Sequence, residues 1–340
     1  MTQRDDQVQG SAPDTVTVIV NYRCAALTVD ALRTVEPEVE RYRSAVGGRL
    51  RVVVTDNASG DDSVEVLEQA REENGWGEWL TILPLPKNGG FAYGNNEGIR
   101  WADAHLGEAH YVHLLNPDTL IREGAVVELV RFMEGHGEAG FAGSRLEDPD
   151  GTVQVSAFRF PTVLSEFEGR INLGVVSWLL RRWRVAPPAS DRVAVTDWVA
   201  GASLLVRRSV LERVGLLDEA YFMYYEEVDW IRQGRLAGFG CWYVPASRVV
   251  HLVGQVSGVR GGGGVGRARR TPEYVFEARR IYWLKNHGWL KKVFADAAVI
   301  TGTVLGRLKC LLLGQAVTDP AYFLRDSLSF HLMGTYPERR

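Results

Sequence analysis

The run TVTVIVNY (residues 15–22) opens a region in which short apolar segments recur at regular intervals. Three similar segments follow it: LRVVVTDN (50–57), LTILPL (80–85) and HYVHLLN (110–116). Their continuous apolar and β-branched character is typical of strands buried on both faces of a parallel sheet. Helix-like stretches separate them, at about 26–45, 61–74 and 92–106. The alternation predicts an α/β fold with a doubly wound, mostly parallel sheet and flanking helices.

Beyond about residue 120 the alternation becomes less regular. The further predictions are a strand at VTDWVAGASLLVRR (195–208), a helix at Tyr224–Ala237, strand and loop at CWYVPASRVVH (241–251), and a mostly helical region at 272–335. A GGGG loop (261–264) is a natural boundary. We therefore expect a disordered tail at residues 1–14, one catalytic domain at 15–260 and a basic helical extension at 261–340.

The composition is that of an ordinary globular protein with an uneven charge distribution. The 340 residues have a formal net charge of −3 and three scattered cysteines, which suits a reducing compartment and argues against a thiolate zinc site. Residues 260–292, in contrast, carry nine Lys and Arg against two Glu, which suggests an anionic partner at one place. The apolar run Val293–Gly306 is too short to span a bilayer. A cytoplasmic protein, soluble or peripheral at the membrane, is expected.

Polar residues follow each of the four predicted strands. They form the groups Asn21-Tyr22-Arg23, Asp56-Asn57-Ala58-Ser59, Lys87-Asn88-Gly89-Gly90-Phe91 and Asn116-Pro117-Asp118. Each group alone is explained by turn chemistry, but four at one sheet edge favour a ligand site. The sequence has neither GxGxxG after the first strand nor GxxxxGK[ST]. If a nucleotide binds here, Mg²⁺ or Mn²⁺ held by a carboxylate would neutralise its phosphates, and Asp118 is the best candidate.

A second polar group is the segment DEAYFMYYEEVDW (218–230), in which acids alternate with aromatic residues. Glu226 and Glu227 point about 100° apart on a helix, so only one of them can face a given group. Aromatic surroundings can raise the pKa of a carboxyl to a value suited to a general base. The alternative is that these acids only stabilise the start of the helix through its dipole. His251 closes the last strand, either as a structural residue or as a partner in a carboxylate–metal site.

Together these motifs resemble the family 2 glycosyltransferases with the GT-A fold, and most of all their rhamnosyltransferase-like branch. The resemblance extends from Thr15 to about Gly258, and a weaker match follows in ARRIYWLKNHG (278–288). It rests on the order of VIVNYR, VTDNASGDDS, KNGGFAYGNNEGI, LLNPDT and DWVAGASLLVRR…GLLDEAYFMYYEEVDW…VVH. It implies a GT-A sheet with a C-terminal helical extension.

The resemblance also implies a role for particular residues. Asp56 matches the acid that accepts the N3–H of uracil or thymine, and Glu227 matches the catalytic base. The other implied nucleotide-sugar contacts are Tyr22, Arg23, Asn88, Asn96 and Asp118. Asp118 and His251 are the implied ligands of Mg²⁺ or Mn²⁺, and Trp198 and Asp229 are the implied acceptor-side residues.

Three positions depart from the family pattern. Asn116 replaces the first acid of the metal-binding DxD, Glu227 is one methylene longer than the usual Asp, and Gln233 stands where relatives often carry Arg. The implied reaction is an inverting single displacement, in which a hydroxyl attacks the anomeric carbon of a dTDP- or UDP-sugar. Rhamnose transfer in surface polysaccharide biosynthesis is the resemblance-level expectation.

Two other functions and several partners stay open at this point. A sugar nucleotidyltransferase would need a Gly-rich, Arg- or Lys-bearing signature after the first strand, which Asn21-Tyr22-Arg23-Cys24 does not supply. The other function that stays open is that of a non-catalytic protein that binds nucleotide sugars. The partners considered are a glycan or lipid-linked acceptor and a second copy of the chain in a homo-oligomer. Peripheral membrane contact is also considered, through Val293–Leu313 and WLLRRW (178–183). No nucleic-acid partner is expected.

Overall fold

The structure is a computed structural model that describes residues 12–171, 173–252 and 270–337. Most of the predicted tail, the GGGG loop and the predicted boundary at 260/261 lie outside these ranges. The strands are β1 (Thr15–Asn21), β2 (Leu50–Asp56), β3 (Leu80–Pro84), β4 (Tyr111–Leu115), β5 (Thr119–Ile121), β6 (Ala139–Glu147), β7 (Ala157–Phe158), β8 (Ala194–Val195), β9 (Trp198–Val199), β10 (Ser203–Arg207) and β11 (Gly240–His251).

The helices lie between these strands and after the last of them. They are α1 (Ala25–Val46), α2 (Ser63–Glu73), α3 (Gly90–Leu106), α4 (Ala125–Gly135), α5 (Val163–Ile171), α6 (Gly174–Leu179), α7 (Arg208–Val214), α8 (Glu226–Leu236), α9 (Glu273–Leu312) and α10 (Phe323–Leu328). Short 3₁₀ turns occupy Trp76–Glu78 and Arg181–Trp183, and a π-turn occupies Ser329–Met333.

The main sheet has the strand order β3-β2-β1-β4-β10-β6-β11-β5, and β8 pairs with β11 at its side. Strands β1 to β4 are parallel to their neighbours in this group, as predicted, and β6 runs parallel to β11. In contrast, β10 is antiparallel to both β4 and β6. The parallel half therefore brings the carboxyl ends of β1, β2 and β4 to one edge.

The single strand predicted over 195–208 is wrong, because this run divides into β8, β9 and β10. Each piece has a different partner: β8 pairs with β11, β9 with β7, and β10 with the centre of the main sheet. A turn at Gly201–Ala202 separates β9 from β10. The turn matters for the site, since it leaves Gly201 next to α8.

The core lies on both faces of the sheet, which explains the continuous apolar strands. Ile19 of β1 belongs to the cluster under α1 and α4, whereas Val18 belongs to the cluster under α3. A Cβ at Gly98 of α3 would lie 2.6 Å from the Val18 side chain, so a glycine is needed for α3 to approach β1 this closely. The N-terminus of α3 is thereby held at the ligand-side edge.

The C-terminal region is helical, as predicted, but α9 is not one straight helix. Gly288 has φ 77° and ψ 171°, a conformation that favours glycine, and it divides α9 into two helices. The first half packs its Tyr282 and Trp283 against Tyr221 and Val228, and the second half packs along α5. Among the described residues, no helix has the length and apolar character that a bilayer crossing requires.

Candidate active site

The carboxyl ends of β1 and β2 place Asn21 and Asp56 side by side in register. Asn21 Nδ2 donates a hydrogen bond of 2.7 Å to Asp56 Oδ1. Ser59 donates its backbone N–H to Asp56 Oδ2 at 3.0 Å and its hydroxyl to Oδ1 at 2.5 Å. These three donors fix the orientation of a carboxylate that is only 3% exposed. An ionised carboxylate has about four acceptor positions, so one is left for an N–H of a ligand.

Arg23 and Tyr22 follow β1 at the same edge, and Arg23 shares its partner Ser59 with Asp56. Arg23 has φ 55°, which is uncommon for a residue with a side chain and turns the chain sharply after β1. Its backbone N–H donates to Ser59 Oγ and its Nε donates to the Ser59 carbonyl, both at 2.9 Å. Its guanidinium carbon lies 5.3 Å from the centre of the Tyr22 ring. The structure thus brings these two predicted residues together with Asp56.

The loop after β3 connects this edge to the second polar group. Asn57 Nδ2 donates to Asn88 Oδ1 and to the Gly90 carbonyl, both at 3.0 Å. Gly90 has φ 88°, and a Cβ there would lie 2.0 Å from the Phe222 carbonyl oxygen, so only glycine fits. The N–H of the residue after Gly90 donates to that same carbonyl at 2.8 Å. Asn88 therefore belongs to a loop that is fixed against the segment preceding Glu227.

Asn96 is hydrogen-bonded to the loop before α8. Its Nδ2 donates to the Leu217 carbonyl at 2.8 Å and to Glu219 Oε1 at 2.9 Å, and its Oδ1 accepts the Leu217 N–H at 3.1 Å. Because both amide hydrogens are used and the side chain is buried, Asn96 anchors α3 to the loop before α8. Its nucleotide contact stays a prediction.

Asp118 and His251 face each other across the β5–β11 pair, with 3.5 Å between Asp118 Oδ1 and His251 Nε2. Leu252 donates its N–H to the Asp118 carbonyl, and Gln154 Nε2 donates to the His251 carbonyl, both at 2.9 Å. Asn116 Oδ1 is buried without a hydrogen-bond partner among the described residues. A carboxylate, an imidazole and an orphaned amide oxygen are a donor set that suits a hard divalent cation.

The described residues contain no group of three His, Cys, Asp or Glu side chains arranged to hold a metal ion. Asp118, His251 and the neutral Asn116 offer three donors, fewer than the octahedral set of Mg²⁺, so a ligand's own oxygens could complete the coordination. Divalent cations that work with nucleotides are commonly held in this way, by few side chains plus phosphate. The donor set fits a metal that is shared with a bound diphosphate.

The strand order places these two groups at the same edge of the sheet. β1 lies between β2 and β4, with Asn21 opposite Asp56 and Ile19 opposite Leu115. Asp118 follows β4 by three residues. Cys24, a residue that sequence reasoning did not select, lies just after β1, and burial raises the pKa of its thiol.

Glu227 lies in the first turn of α8, directly after a strained bend. Tyr224 and Tyr225 have φ 72° and 69°, and such values for bulky residues are typical of functional positions. The Glu227 side chain packs against the Gly201 turn, where a Cβ would lie 3.7 Å from it. Burial raises the pKa of Glu227 to about 7, while backbone N–H groups, including those of Val228 and Gly201, oppose this shift. A carboxyl that titrates near neutral pH suits a general base.

Glu226, the neighbouring acid, is also buried, and its Oε2 lacks a hydrogen-bond partner among the described residues. Burial raises the pKa of Glu226 well above the usual 4.5, and the charge of Glu227 raises it further. Both adjacent acids therefore have raised pKa values, and burial is the largest cause for each.

Glu226→Gln is expected to remove part of the pH dependence of stability. Because the folded protein binds this proton more tightly than the unfolded chain, Glu226 stabilises the fold below its ordinary pKa of 4.5 and loses that contribution as pH rises. Wild-type protein should therefore lose stability between pH 5 and 8 relative to the variant, by at most about 1.4 kcal/mol per pH unit. Urea unfolding at several pH values measures this difference.

The control for this experiment is Glu212→Gln, the same change at a glutamate of α7 that is exposed to solvent. That variant should follow the wild-type pH dependence. Parallel curves for wild type and Glu226→Gln would contradict the buried, protonated state of Glu226.

Asp229, for which an acceptor contact is predicted, is buried and engaged by α9. Lys285 Nζ lies 2.7 Å from Asp229 Oδ2, and Asn286 Nδ2 donates to Asp229 Oδ1 at 2.6 Å. Both carboxylate oxygens are thus taken, so Asp229 ties α8 to the C-terminal extension two residues after Glu227. Sequence reasoning missed Lys285 and Asn286, although both lie in the weaker match ARRIYWLKNHG.

Trp198 is held beside the Gly201 turn by two contacts. Its ring stacks on Phe158 with 4.2 Å between centroids, and its Nε1 donates to the Arg159 carbonyl at 2.9 Å. Strand β9, which carries Trp198, also packs against α8. The ring therefore lies on the Glu227 side of the site, and its acceptor contact stays a prediction.

The mostly parallel sheet with helices on both faces has the GT-A glycosyltransferase fold. Two solved structures share this fold: GalNAc-T7 with UDP, GalNAc and Mn²⁺ (TM-score 0.60, 13% identity, 94% of this chain and 55% of that one) and the mannosyltransferase PcManGT from Pyrobaculum calidifontis with GDP-Man and Mn²⁺ (0.53, 16%, 95% and 90%).

The profile described as Glycosyl transferase family 2 matches residues 18–214, and the chain belongs to that family. It is 30% identical over 229 residues to the N-acetylglucosaminyl-diphospho-decaprenol L-rhamnosyltransferase of Mycobacterium tuberculosis (strain H37Rv), covering 63% of this chain and 72% of the relative. It is 28% identical over 164 residues to the rhamnosyltransferase WbbL of Escherichia coli K12, covering 48% and 60%. The protein is therefore a family 2 glycosyltransferase.

Proposed function

We propose that the protein transfers a sugar, with inversion, from a nucleoside-diphosphate sugar to a hydroxyl of a glycan or lipid-linked acceptor. The observation that carries this proposal is the position and pKa of Glu227, a buried carboxyl that titrates near pH 7 beside the Gly201 turn. The Asn88 loop and the Phe222 carbonyl connect that acid to the Asp56 edge. Proton acceptor and nucleotide site thus belong to one fixed framework.

On the donor side, Asp56 would accept the N3–H of a uracil or thymine ring through its remaining acceptor position. Uracil and thymine offer the same edge to a carboxylate, so dTDP- and UDP-sugars both satisfy this contact. Arg23, which is fixed on Ser59, carries positive charge next to the same edge. The names of the two rhamnosyltransferase relatives support rhamnose as the transferred sugar.

Asp118, His251 and the Asn116 amide oxygen would hold Mg²⁺ or Mn²⁺ together with the donor diphosphate. When bound, the metal supplies positive charge that stabilises the leaving nucleoside diphosphate. The Mn²⁺ in both structural neighbours supports a divalent ion in this position. Asn116 removes one negative charge from the ligand set, which favours a weaker metal site than two acids would give.

Glu227 would take the proton from the acceptor hydroxyl as its oxygen attacks the anomeric carbon. The nucleoside diphosphate leaves from the opposite face, so the new bond has the opposite anomeric configuration. Asp229 holds α8 in place through its contact with Lys285 of α9. A sugar nucleotidyltransferase is not favoured, because the family match and the base position both point to glycosyl transfer.

The acceptor and the place of action are also proposals. The Mycobacterium tuberculosis relative is named for a decaprenyl diphosphate acceptor, which supports a lipid-linked acceptor and a cytoplasmic enzyme that works at the membrane face. Residues 15–260 would form the catalytic domain. The helices after residue 261 would then support α8, as the contacts of Asp229 with Lys285 and Asn286 suggest.

A thermal-shift screen of nucleotide sugars with Mn²⁺ tests the donor assignment. A donor that binds only the folded state raises the free energy of unfolding by mass action, by about 2.7 kcal/mol at 100 times its Kd. The unfolding temperature rises as a result. We expect stabilisation by dTDP- and UDP-sugars and none by ADP-sugars, because adenine has no ring N–H to donate to Asp56. Asp56→Ala should abolish the response, whereas Asp30→Ala, an exposed change on α1, should keep it. Stabilisation by purine donors alone would overturn the assignment.

A further inference from the structure

The second half of α9 has an apolar outer face. Six large apolar side chains on it are between 43% and 81% exposed: Leu290, Phe294, Leu305, Leu308, Leu311 and Leu312. At 100° per residue, all six lie within an arc of about 120° along one side of the helix. From the first to the last of them the stripe is about 33 Å long. Water-facing helix surfaces are normally polar, so this stripe needs a partner.

The stripe is not the side by which the helix packs onto the protein. The opposite face buries Ala295, Val299 and Gly302, and a Cβ at Gly302 would lie 2.9 Å from the Phe167 carbonyl of α5. The helix therefore already has a protein partner on its inner side. What remains exposed is a second apolar face on the same helix.

A second exposed group follows α5, the helix on which the second half of α9 packs. A Cβ at Gly306 of α9 would lie 2.7 Å from the Arg170 carbonyl, and α6 begins a few residues after Arg170. Val175, Trp178 and Leu179 of α6 are at least 60% exposed. We call these three residues and the six of the stripe the apolar patch.

Basic side chains border the patch. Arg181 and Arg182 follow α6 and are both exposed. Their guanidinium carbons lie 5.3 Å from the Trp178 ring and 3.8 Å from the Trp183 ring, respectively. Lys291, also exposed, lies between two residues of the stripe. Aromatic and aliphatic side chains with cations at their border are characteristic of segments that lie in the interface of an anionic membrane.

We propose that the apolar patch binds the surface of an anionic lipid bilayer, with α9 lying in the plane of the headgroups. The leucines and Trp178 would enter the acyl boundary, and Arg181, Arg182 and Lys291 would contact the anionic headgroups. A second copy of the chain fits less well, because the patch and its basic border contain no Asp or Glu that could pair with the arginines of the other copy.

The patch is connected to the helix that carries the base. Asn286, whose amide donates to Asp229 of α8 at 2.6 Å, lies four residues before Leu290. Tyr282 in the same half of α9 packs on Tyr225, with 5.2 Å between ring centroids. A bilayer on the patch would thus lie next to the element that positions Glu227. That this orientation serves a lipid-linked acceptor rests on the proposed function, whereas binding to the bilayer does not.

Vesicle flotation with the full chain tests the proposal. We expect flotation with vesicles of phosphatidylcholine and phosphatidylglycerol, little with phosphatidylcholine alone, and release at high salt. The double variant Leu308→Glu and Leu312→Glu should lower the partition coefficient more than about tenfold, because two apolar anchors become charged. Arg181→Ser with Arg182→Ser should lower it about fivefold for each charge removed.

Leu236→Glu is the matched control, since Leu236 is 72% exposed but lies on α8 outside the patch. This variant should float like the wild type. The proposal is overturned if the wild type does not bind anionic vesicles, or if the Leu308/Leu312 variant binds as well as Leu236→Glu. It is also overturned if the only effect of the Leu308/Leu312 variant is to convert a dimer to a monomer, as measured by light scattering.

Donor binding separates this proposal from the proposed function. Each patch variant should keep the thermal shift with nucleotide sugar and Mn²⁺, because the patch lies outside the donor site. For the patch variants we expect loss of flotation and an unchanged thermal shift with the donor. This result supports the membrane surface and is consistent with the proposed function. Absent flotation of a wild type that binds donor would overturn the membrane surface alone.

Discussion

Glu227→Gln is expected to lower kcat by about 10²–10⁴-fold while the Kd for the donor stays at the wild-type value. Glutamine keeps the shape of the side chain but cannot accept the proton of the attacking hydroxyl. The variant should fold, because Glu227 is buried and burial already disfavours its charged form. Steady-state kinetics and calorimetric titration of the donor measure the two quantities separately.

The matched control is Glu226→Gln, the same chemical change one residue earlier. Since Glu227 and not Glu226 is the proposed base, this variant should keep turnover. In wild type, kcat/KM should rise with pH through about 7 as Glu227 loses its proton. Full turnover by Glu227→Gln would remove Glu227 from the role of base, as would a pH profile without this rise.

Asp118→Ala is expected to weaken Mn²⁺-dependent nucleotide binding by more than about 100-fold, because it removes the one carboxylate of the proposed metal set. Affinity for the nucleotide in EDTA should change little, since the Asp56 edge is untouched. Calorimetric titration of UDP and dTDP, each with Mn²⁺ and with EDTA, measures the metal-dependent part directly.

Two further variants sharpen this test. Asn116→Asp should tighten Mn²⁺ binding, since it adds a charge at a buried oxygen that has no hydrogen-bond partner among the described residues. Asp191→Ala, at a side chain that is 81% exposed, should leave it unchanged. Equal metal-dependent affinity in wild type and Asp118→Ala would exclude Asp118 as a ligand.

The N-terminal half of the fold is predictable because its signals are local. Strands β1 to β4 are buried on both faces, so each is a continuous apolar run, and helices α1 to α3 lie within two residues of the predicted bounds. Parallel connectivity then places the strand ends together, which is how Asp56, Arg23 and Asp118 could be selected for one site.

The remaining features depend on contacts between distant parts of the chain. The run 195–208 looks like one strand, but its three pieces pair with β11, β7 and β4, which no local pattern encodes. Asp229 could not be distinguished from a ligand contact, because its partner Lys285 lies 56 residues away. Asn96 is likewise engaged by Leu217, which is 121 residues away.

The stereochemistry of transfer tests the central claim most directly. Proton NMR can follow the anomeric signal of the donor and that of the new glycosidic bond in one reaction with the wild-type enzyme. A single displacement with Glu227 as base predicts the opposite anomeric configuration in the product, in the first turnover as in later ones. Retention of the donor's configuration would contradict this account.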